Sequence, residues 1–189
     1  MQEKQKINIV WFKKDLRTKD QISLFKASQE DLPFIALYIF DEDFYQKKQF
    51  GFRKIGKFRA KFLLESVQNL QHNLAELNIP FLTKFGKTKE IFEKLNEHYS
   101  IQKIFCEEEF TQEEVDLEKS VSSALSNVKF EKSYSQFLLE PDFVFGKLEK
   151  IPALFTTFRN KVEKNFSVRK PLKIEKRKVF FELEIPSDK

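Results

Sequence analysis

The sequence predicts an α/β fold: a Rossmann-like, doubly wound, five-stranded parallel sheet in the order 3-2-1-4-5, with helices on both faces. Three observations predict it. Short apolar runs alternate with helical segments five times along the chain, the pattern of a parallel sheet with crossover helices. The first run, Ile7-Asn8-Ile9-Val10-Trp11-Phe12, is β-branched at its start and nearly continuous in apolar character, as in a strand buried on both faces. Charge then arrives abruptly where strands should end, at Lys13-Lys14-Asp15-Leu16-Arg17 and again at Asp41-Glu42-Asp43. Ligands in open sheets lie outside the carboxyl ends of the strands, where strand order reverses.

Each element follows from its residues. After Arg17, Asp20 is placed to cap a helix through Ile22, Leu24, Phe25 and Ala27. Residues 32–40 (LPFIALYIF) read as the second buried strand, and 46–57 as a polar, basic surface loop. The clearest helix runs from Phe58 to Leu77, with Leu63, Val67, Leu70, Leu74 and Leu77 at three- and four-residue steps. Asn78 ends it and Pro80 blocks its continuation. Phe81–Phe85 is the third strand. Thr88 is expected to cap a helix whose inner face is Ile91, Phe92, Leu95 and Tyr99. Ile101–Cys106 is the fourth strand. Thr111 and Glu114 have the spacing of a capping box, opening a helix with Leu117, Val121, Ala124 and Leu125 inward, and Val128–Phe130 is a weak fifth strand. The predicted core is therefore residues 1–132.

Residues 133–189 differ in character and read as a C-terminal extension or interdomain linker. Phe137-Leu138-Leu139 and Phe143-Val144-Phe145 are apolar, and Pro152 is placed to start a short helix with Phe155, Phe158 and Val162 on one stripe. The basic run from Arg159 to Lys178 reads either as a solvated linker or as a phosphate-tracking segment. Few rings interleave with it to stack bases. Val179-Phe180-Phe181-Glu182-Leu183 is apolar without an evident partner.

Composition narrows the chemistry. The 189 residues are 41% hydrophobic and 33% charged, enough for one domain with a real core. With 4 glycines, no glycine-rich phosphate loop is available, and Gly86-Lys87-Thr88 lacks the earlier glycine such a loop needs. A net charge of +5 is compatible with nucleic acid without implying it. The single Cys106 excludes an intramolecular disulfide and fits a reducing compartment. No leader-like or membrane-spanning run is evident, so a cytoplasmic protein is expected. His72 and His98 have no second ligand at metal-binding spacing. No nucleophile, base and orienting group can be assembled.

The residues left for function lie at the predicted switch point between the first and fourth strands. Phe12 and Lys13 would form one wall, and Glu107-Glu108-Glu109 the other. A carboxylate there is favoured by the following helix N-terminus on structural grounds alone. It could also accept two neighbouring N–H groups from a heterocycle such as a pterin or purine.

Several stretches together resemble one family. Val10-Trp11-Phe12-Lys13-Lys14-Asp15-Leu16-Arg17 is similar to the W-F-R-x-D-L-R opening of photolyases and cryptochromes, with Lys13 in place of an arginine and its bidentate fork. Phe40-Asp41 is similar to the end of that family's second strand. Residues 56–67 (GKFRAKFLLESV) resemble the G-x-F-R-A-x-F-L-L-E-S-V stretch of DASH-type cryptochromes, and 155–163 (FTTFRNKVE) their F-T-x-F-R-K-x-V-E segment. The likeness spans residues 6 to about 172 and concerns only the family's N-terminal α/β domain.

The resemblance implies a function. The α/β domain of that family helps hold an antenna chromophore: a reduced folate such as methenyltetrahydrofolate, or a deazaflavin or flavin. A helical domain, C-terminal or on a separate chain, binds FAD and DNA, and the reduced flavin repairs cyclobutane pyrimidine dimers. That helical domain is not in this sequence, so the chain alone is expected to be inactive in repair. Glu109 corresponds to the family glutamate that contacts the pterin, although Glu107-Glu108-Glu109 replaces a His-Arg-Glu common in DASH members. Phe12, Lys13 and Asp41 are cofactor-binding candidates by position; no catalytic or metal residue is expected. A stand-alone α/β interaction module and a nucleotide-binding module without photochemistry are the alternatives. The first would use residues 133–189 as its docking surface.

Overall fold

The computed structural model describes residues 4–46, 51, 53–139, 141–147 and 150–178. Its sheet contains β1 (Lys6–Phe12), β2 (Phe34–Asp41), β3 (Phe81–Gly86), β4 (Ser100–Glu107) and β5 (Lys129–Ser133). All neighbouring pairs are parallel, in the predicted order β3-β2-β1-β4-β5. The helices are α1 (Ile22–Ser28), α2 (Lys57–Glu76), α3 (Thr88–His98), α4 (Gln112–Ala124), α5 (Pro141–Lys147) and α6 (Phe155–Asn165).

Alternation along β1 feeds two cores. Ile7, Ile9 and Trp11 join Phe92 and Leu95 of α3 and Val121 of α4 on one face. Val10 and Phe12 join Leu24 and Ala27 of α1 and Val67, Leu70 and Leu74 of α2 on the other. Each of the buried Ile, Leu, Val and Phe side chains contributes roughly 1.5–3 kcal/mol through its removal from water, and Ala27 less. The chain winds outward through α1 and α2, then α3 carries it back past β1 to start β4. The strand order therefore reverses between β1 and β4, whose carboxyl ends open a crevice.

Helix ends differ from the sequence expectations where distant partners compete for the capping groups. Gln21, not Asp20, caps α1, its side chain accepting from the Leu24 amide. Asp20 has φ 53 and turns its carboxylate to the Leu172 amide and the Arg169 guanidinium. Lys87 holds the cap position of α3; Thr88 is already helical and donates its hydroxyl to Asp41. Thr111 stands at the cap of α4 but makes no side-chain cap bond among the described residues, and the Glu114 carboxylate accepts from Lys14 instead of closing a capping box. Gly86, at φ 142, makes the turn from β3 into α3, so Gly86-Lys87-Thr88 is a strand-to-helix turn.

The extension contains α5, where the sequence predicts only an apolar run, and α6, which begins at Phe155 rather than Pro152. The end of the basic run is not a solvated linker. Ile174 is 7% exposed in the α1–α2 core, and the Arg177 guanidinium sits 4.7 Å from the Phe34 ring centre. The Arg177 amide donates to the Leu77 carbonyl, and its own carbonyl accepts from Asn78. Part of the 46–57 loop and all of 179–183 lie outside the described residues. Among the described residues, no helix is long and apolar enough to cross a membrane.

Candidate functional site

The crevice at the switch point is a cleft of about 930 Å³. Its floor is the carboxyl end of β1, and the ends of β2, α2 and α4 and the segment after β4 form its walls. That volume is in the range that accommodates a fused-ring ligand.

The β1 turn is built to present two lysines. Asp15 accepts from the Lys13 amide at 3.0 Å and from Gln21 at 2.5 Å, which folds the chain back on itself. Arg17 ties the turn to the segment after β5 by donating to the Ser135 carbonyl at 2.8 Å. Asp15 and Arg17, two of the residues that carry the family likeness, therefore act as scaffolding. Lys13 bends back over the Trp11 ring, its ammonium 5.0 Å from the ring centre, and donates to the Glu107 carbonyl at 2.7 Å.

The three consecutive glutamates part company. Glu107 is fully buried and accepts from the Ser135 amide and hydroxyl. Burial pushes its carboxyl above the ordinary range, against the pull of those two bonds. Glu108 pairs with Lys132 at 3.3 Å. Glu109 faces the cleft with its side chain 3% exposed, 3.9 Å from Lys13 and 3.6 Å from Lys14. Burial raises its carboxyl too, although both lysines pull it down. Among the described residues its Oε1 has no hydrogen-bond partner.

Glu109, Phe12, Lys13 and Asp41 line this one cleft. Their parts differ. The Phe12 side chain is 1% exposed and belongs to the core beneath the floor. The Asp41 carboxylate already accepts from the Asp43 amide and from the Thr88 amide and hydroxyl. Glu109 alone among the four offers a buried acceptor atom without a partner. For the N–H edge of a heterocycle the donor set fits: a buried carboxylate oxygen without a hydrogen bond, in a cleft with ring-bearing walls.

Sequence reasoning missed part of the lining. Tyr38, two residues before Phe40 and hence on the same face of β2, reaches the cleft. Burial pushes its phenol well up. Arg59, Phe62, Leu63 and Ser66 line it from α2 at three- and four-residue steps. That spacing marks a second stripe beside the core stripe of α2, and it was legible in the sequence. Lys54 bridges to Glu113 across the mouth and lies 5.5 Å from the Phe44 ring centre. His72 and His98 are exposed on helices away from the cleft. Cys106 is buried in β4. Among the described residues no acidic, histidine or cysteine cluster is arranged to hold a metal.

Comparison with known proteins gives a consistent result. The family model described as DNA photolyase matches residues 8–176. Cryptochrome DASH of Gloeobacter violaceus is 36% identical over 166 residues, covering 87% of this chain and 33% of that protein. Cryptochrome DASH of Synechocystis sp. is 32% identical over 158 residues, covering 82% of this chain and 32% of the relative. The crystal structure of a Synechocystis cryptochrome superposes with a TM-score of 0.85 at 27% identity, over 98% of this chain and 40% of that one. An archaeal photolyase from Sulfolobus tokodaii, solved with two FAD molecules, shares the fold with a TM-score of 0.74 at 20% identity, over 90% of this chain and 37% of that one. The chain thus spans about a third of the length of the curated relatives it matches. With the match reaching from the start of β1 to the docked strap around Ile174, the chain belongs to the DNA photolyase family.

Proposed function

We propose that this chain is the antenna-chromophore-binding domain of a DASH-like photolyase or cryptochrome, harvesting light for FAD-dependent repair of cyclobutane pyrimidine dimers. The observation that carries the reading is the Glu109 carboxylate: buried, flanked by two ammonium groups, with one oxygen free of hydrogen bonds among the described residues, on a residue that lines a ring-walled cleft. An ionised carboxylate in that state accepts a planar N–H edge more strongly than a neutral acceptor would. Phe12 and Lys13 shape the floor beneath the ligand, and Asp41 holds the β2 rim.

The ligand is a reduced folate or a flavin-type ring; bound, it absorbs light and passes excitation to FAD. FAD and DNA are held by a helical domain, on the same polypeptide or a separate one, and this chain alone does not repair DNA. Exposed apolar side chains support a protein partner of that size: Leu154 and Phe155 at the start of α6 are each 73% exposed. The 1–132 core carries the cleft, and the 133–189 extension leads to the partner.

The test is titration of the full chain with methenyltetrahydrofolate and with FMN, followed by absorbance and fluorescence. Saturable binding that Glu109→Gln abolishes is expected. Binding to the chain joined to its helical partner that is indifferent to Glu109→Gln would overturn the reading.

A further inference from the structure

Seven side chains of alternating charge form a row that begins away from the cleft and ends in its wall: Glu108, Lys132, Glu118, Lys13, Glu109, Lys14 and Glu114. Successive contacts are 3.3, 3.2, 3.5, 3.9 and 3.6 Å, and the last is a direct Lys14–Glu114 hydrogen bond. The widest gaps lie on either side of Glu109. Lys13 spends its hydrogen bond on the Glu107 carbonyl and stands nearer Glu118 than Glu109. Lys14 donates to Glu114 and stands 3.6 Å from the other oxygen of Glu109, Oε2. Two positive charges therefore lie within 4 Å of Glu109 while its Oε1 takes no hydrogen bond.

Glu118 is the unexpected member. It lies on α4 next to Leu117 and one turn before Val121, with its side chain 4% exposed. An apolar residue there would serve the core better, since a buried carboxylate must be compensated. Among the described residues neither of its oxygens is hydrogen-bonded, and its compensation is Lys13 on one side and Lys132 on the other.

We infer that Glu118 is a positioning residue: by competing for Lys13 it keeps that ammonium off Glu109 and leaves Oε1 open to an N–H donor of the ligand. The inference rests on the chromophore reading of the cleft. The charged groups facing Glu109 are Lys13, Lys14 and Asp15 from the β1 turn and Glu114 and Glu118 from α4. Of these, Glu118 is the one that shares Lys13 with it. With Glu118 neutral, the Lys13 ammonium needs to close only from 3.9 Å to ordinary charge-assisted distance, about 2.8 Å, to cap the open oxygen.

Two measurements on the full chain separate this inference from the reading it rests on. The first needs no ligand: NMR coupling through the hydrogen bond from Lys13 Nζ to the Glu109 carboxyl carbon. It should be absent in the wild type and present in Glu118→Gln. The second is methenyltetrahydrofolate and FMN affinity, which Glu118→Gln should weaken by about tenfold, the worth of one charge-assisted hydrogen bond. Absence of binding of either probe to the chain joined to its helical partner tells against the chromophore reading, while the coupling still decides the position of Lys13. No Lys13–Glu109 coupling in Glu118→Gln, or coupling with unchanged affinity in a chain that binds, overturns the inference. Should Glu118→Gln fail to fold, Lys132→Met leaves Glu118 wholly to Lys13. Coupling from Lys13 to the Glu118 carboxyl carbon with affinity retained is then expected, and its absence overturns the inference equally.

Discussion

Thr88 Oγ1 lies 2.6 Å from Asp41 Oδ2, and the Thr88 amide lies 3.2 Å from the same oxygen. This buried pair joins the carboxyl end of β2 to the first turn of α3, across the end of β3. Asp41 Oδ1 meanwhile accepts from the Asp43 amide at 2.9 Å, which shapes the turn after β2. Removing a carboxylate with three partners strands all of them, at a cost of roughly 1–3 kcal/mol for a buried group left unsatisfied. Asp41→Ala is therefore expected to destabilise the chain by about 3 kcal/mol, and Thr88→Val by about 1 kcal/mol. Urea unfolding curves with unchanged slope would show both. Equal midpoints for wild type and Asp41→Ala would mean that Asp41 is not holding the rim.

Glu109 carries the opposite signature. Its folded carboxyl lies above the ordinary Glu range because burial outweighs Lys13 and Lys14. The folded chain then holds this proton to higher pH than the unfolded chain does. Its contribution is fully present below the unfolded value and is lost as pH rises through the folded one. Glutamine mimics the protonated form. Glu109→Gln is thus expected to be more stable than wild type at pH 7, with the gap closing toward pH 4, while chromophore binding is lost. Thermal melts at both pH values, beside a binding isotherm, check the combination. A variant that is less stable at pH 7 would mean that the two lysines, and not burial, dominate at Glu109.

Most of the frame was legible in the residues themselves. The near-continuous apolar run of β1, the 3–4 spacing of Val67, Leu70 and Leu74, and the βα alternation suffice for the sheet order, because handedness and short connections leave few alternatives. Glu109 was legible from its place after β4. Long-range polar competition was not. Asp20 and Thr88 both have good cap chemistry, yet each spends its side chain on a residue distant in sequence, Arg169 and Asp41. Glu114 sits at capping-box spacing and goes to Lys14 instead. Local rules count donors within a turn and are blind to a lysine arriving from another strand. The docking of Ile174 was hidden likewise, as one apolar residue in a basic run.

That docking has a measurable consequence. Ile174 joins the buried cluster that includes Leu24 of α1, Phe34 of β2 and Leu74 of α2. Truncation of a buried isoleucine costs about 2–5 kcal/mol through lost burial and the cavity left behind. Ile174→Ala is expected near the lower end, about 2 kcal/mol, because the strap can relax toward the helices. Trypsin cleavage after Lys173 and Lys176 should accelerate in parallel. Cleavage unchanged from wild type would show that the strap does not depend on this contact.

Acid should loosen the other end of the same strap. The Arg169 guanidinium and the Leu172 amide, both bonded to Asp20, hold its carboxyl below the ordinary value of 3.8. A depressed carboxyl contributes stability above its unfolded value, and that contribution is lost as pH falls through the folded one. The pair is exposed, so salt weakens it. Protection of the Leu172 amide from hydrogen exchange is expected to fall below that pH, and Asp20→Asn should lose the pH dependence while keeping the φ of 53 that asparagine tolerates.

Cys106 offers a probe of the centre of the sheet. It lies on β4 opposite Trp11 of β1 and Lys132 of β5, with no exposed surface. Burial pushes its thiol up to about 12, so at pH 8 the folded chain presents almost no thiolate, and the reagent has no path to it. Modification by a chromogenic disulfide then requires α3 or α4 to lift from the face of the sheet on which Cys106 is packed. Labelling is expected to be slower than that of an unfolded control by the factor that global stability sets, and to rise with urea along the global slope. Glu109→Gln, expected to stabilise the folded chain at neutral pH, should likewise slow labelling of Cys106. Rapid labelling that ignores urea would mean that α3 or α4 lifts locally from the sheet without global unfolding.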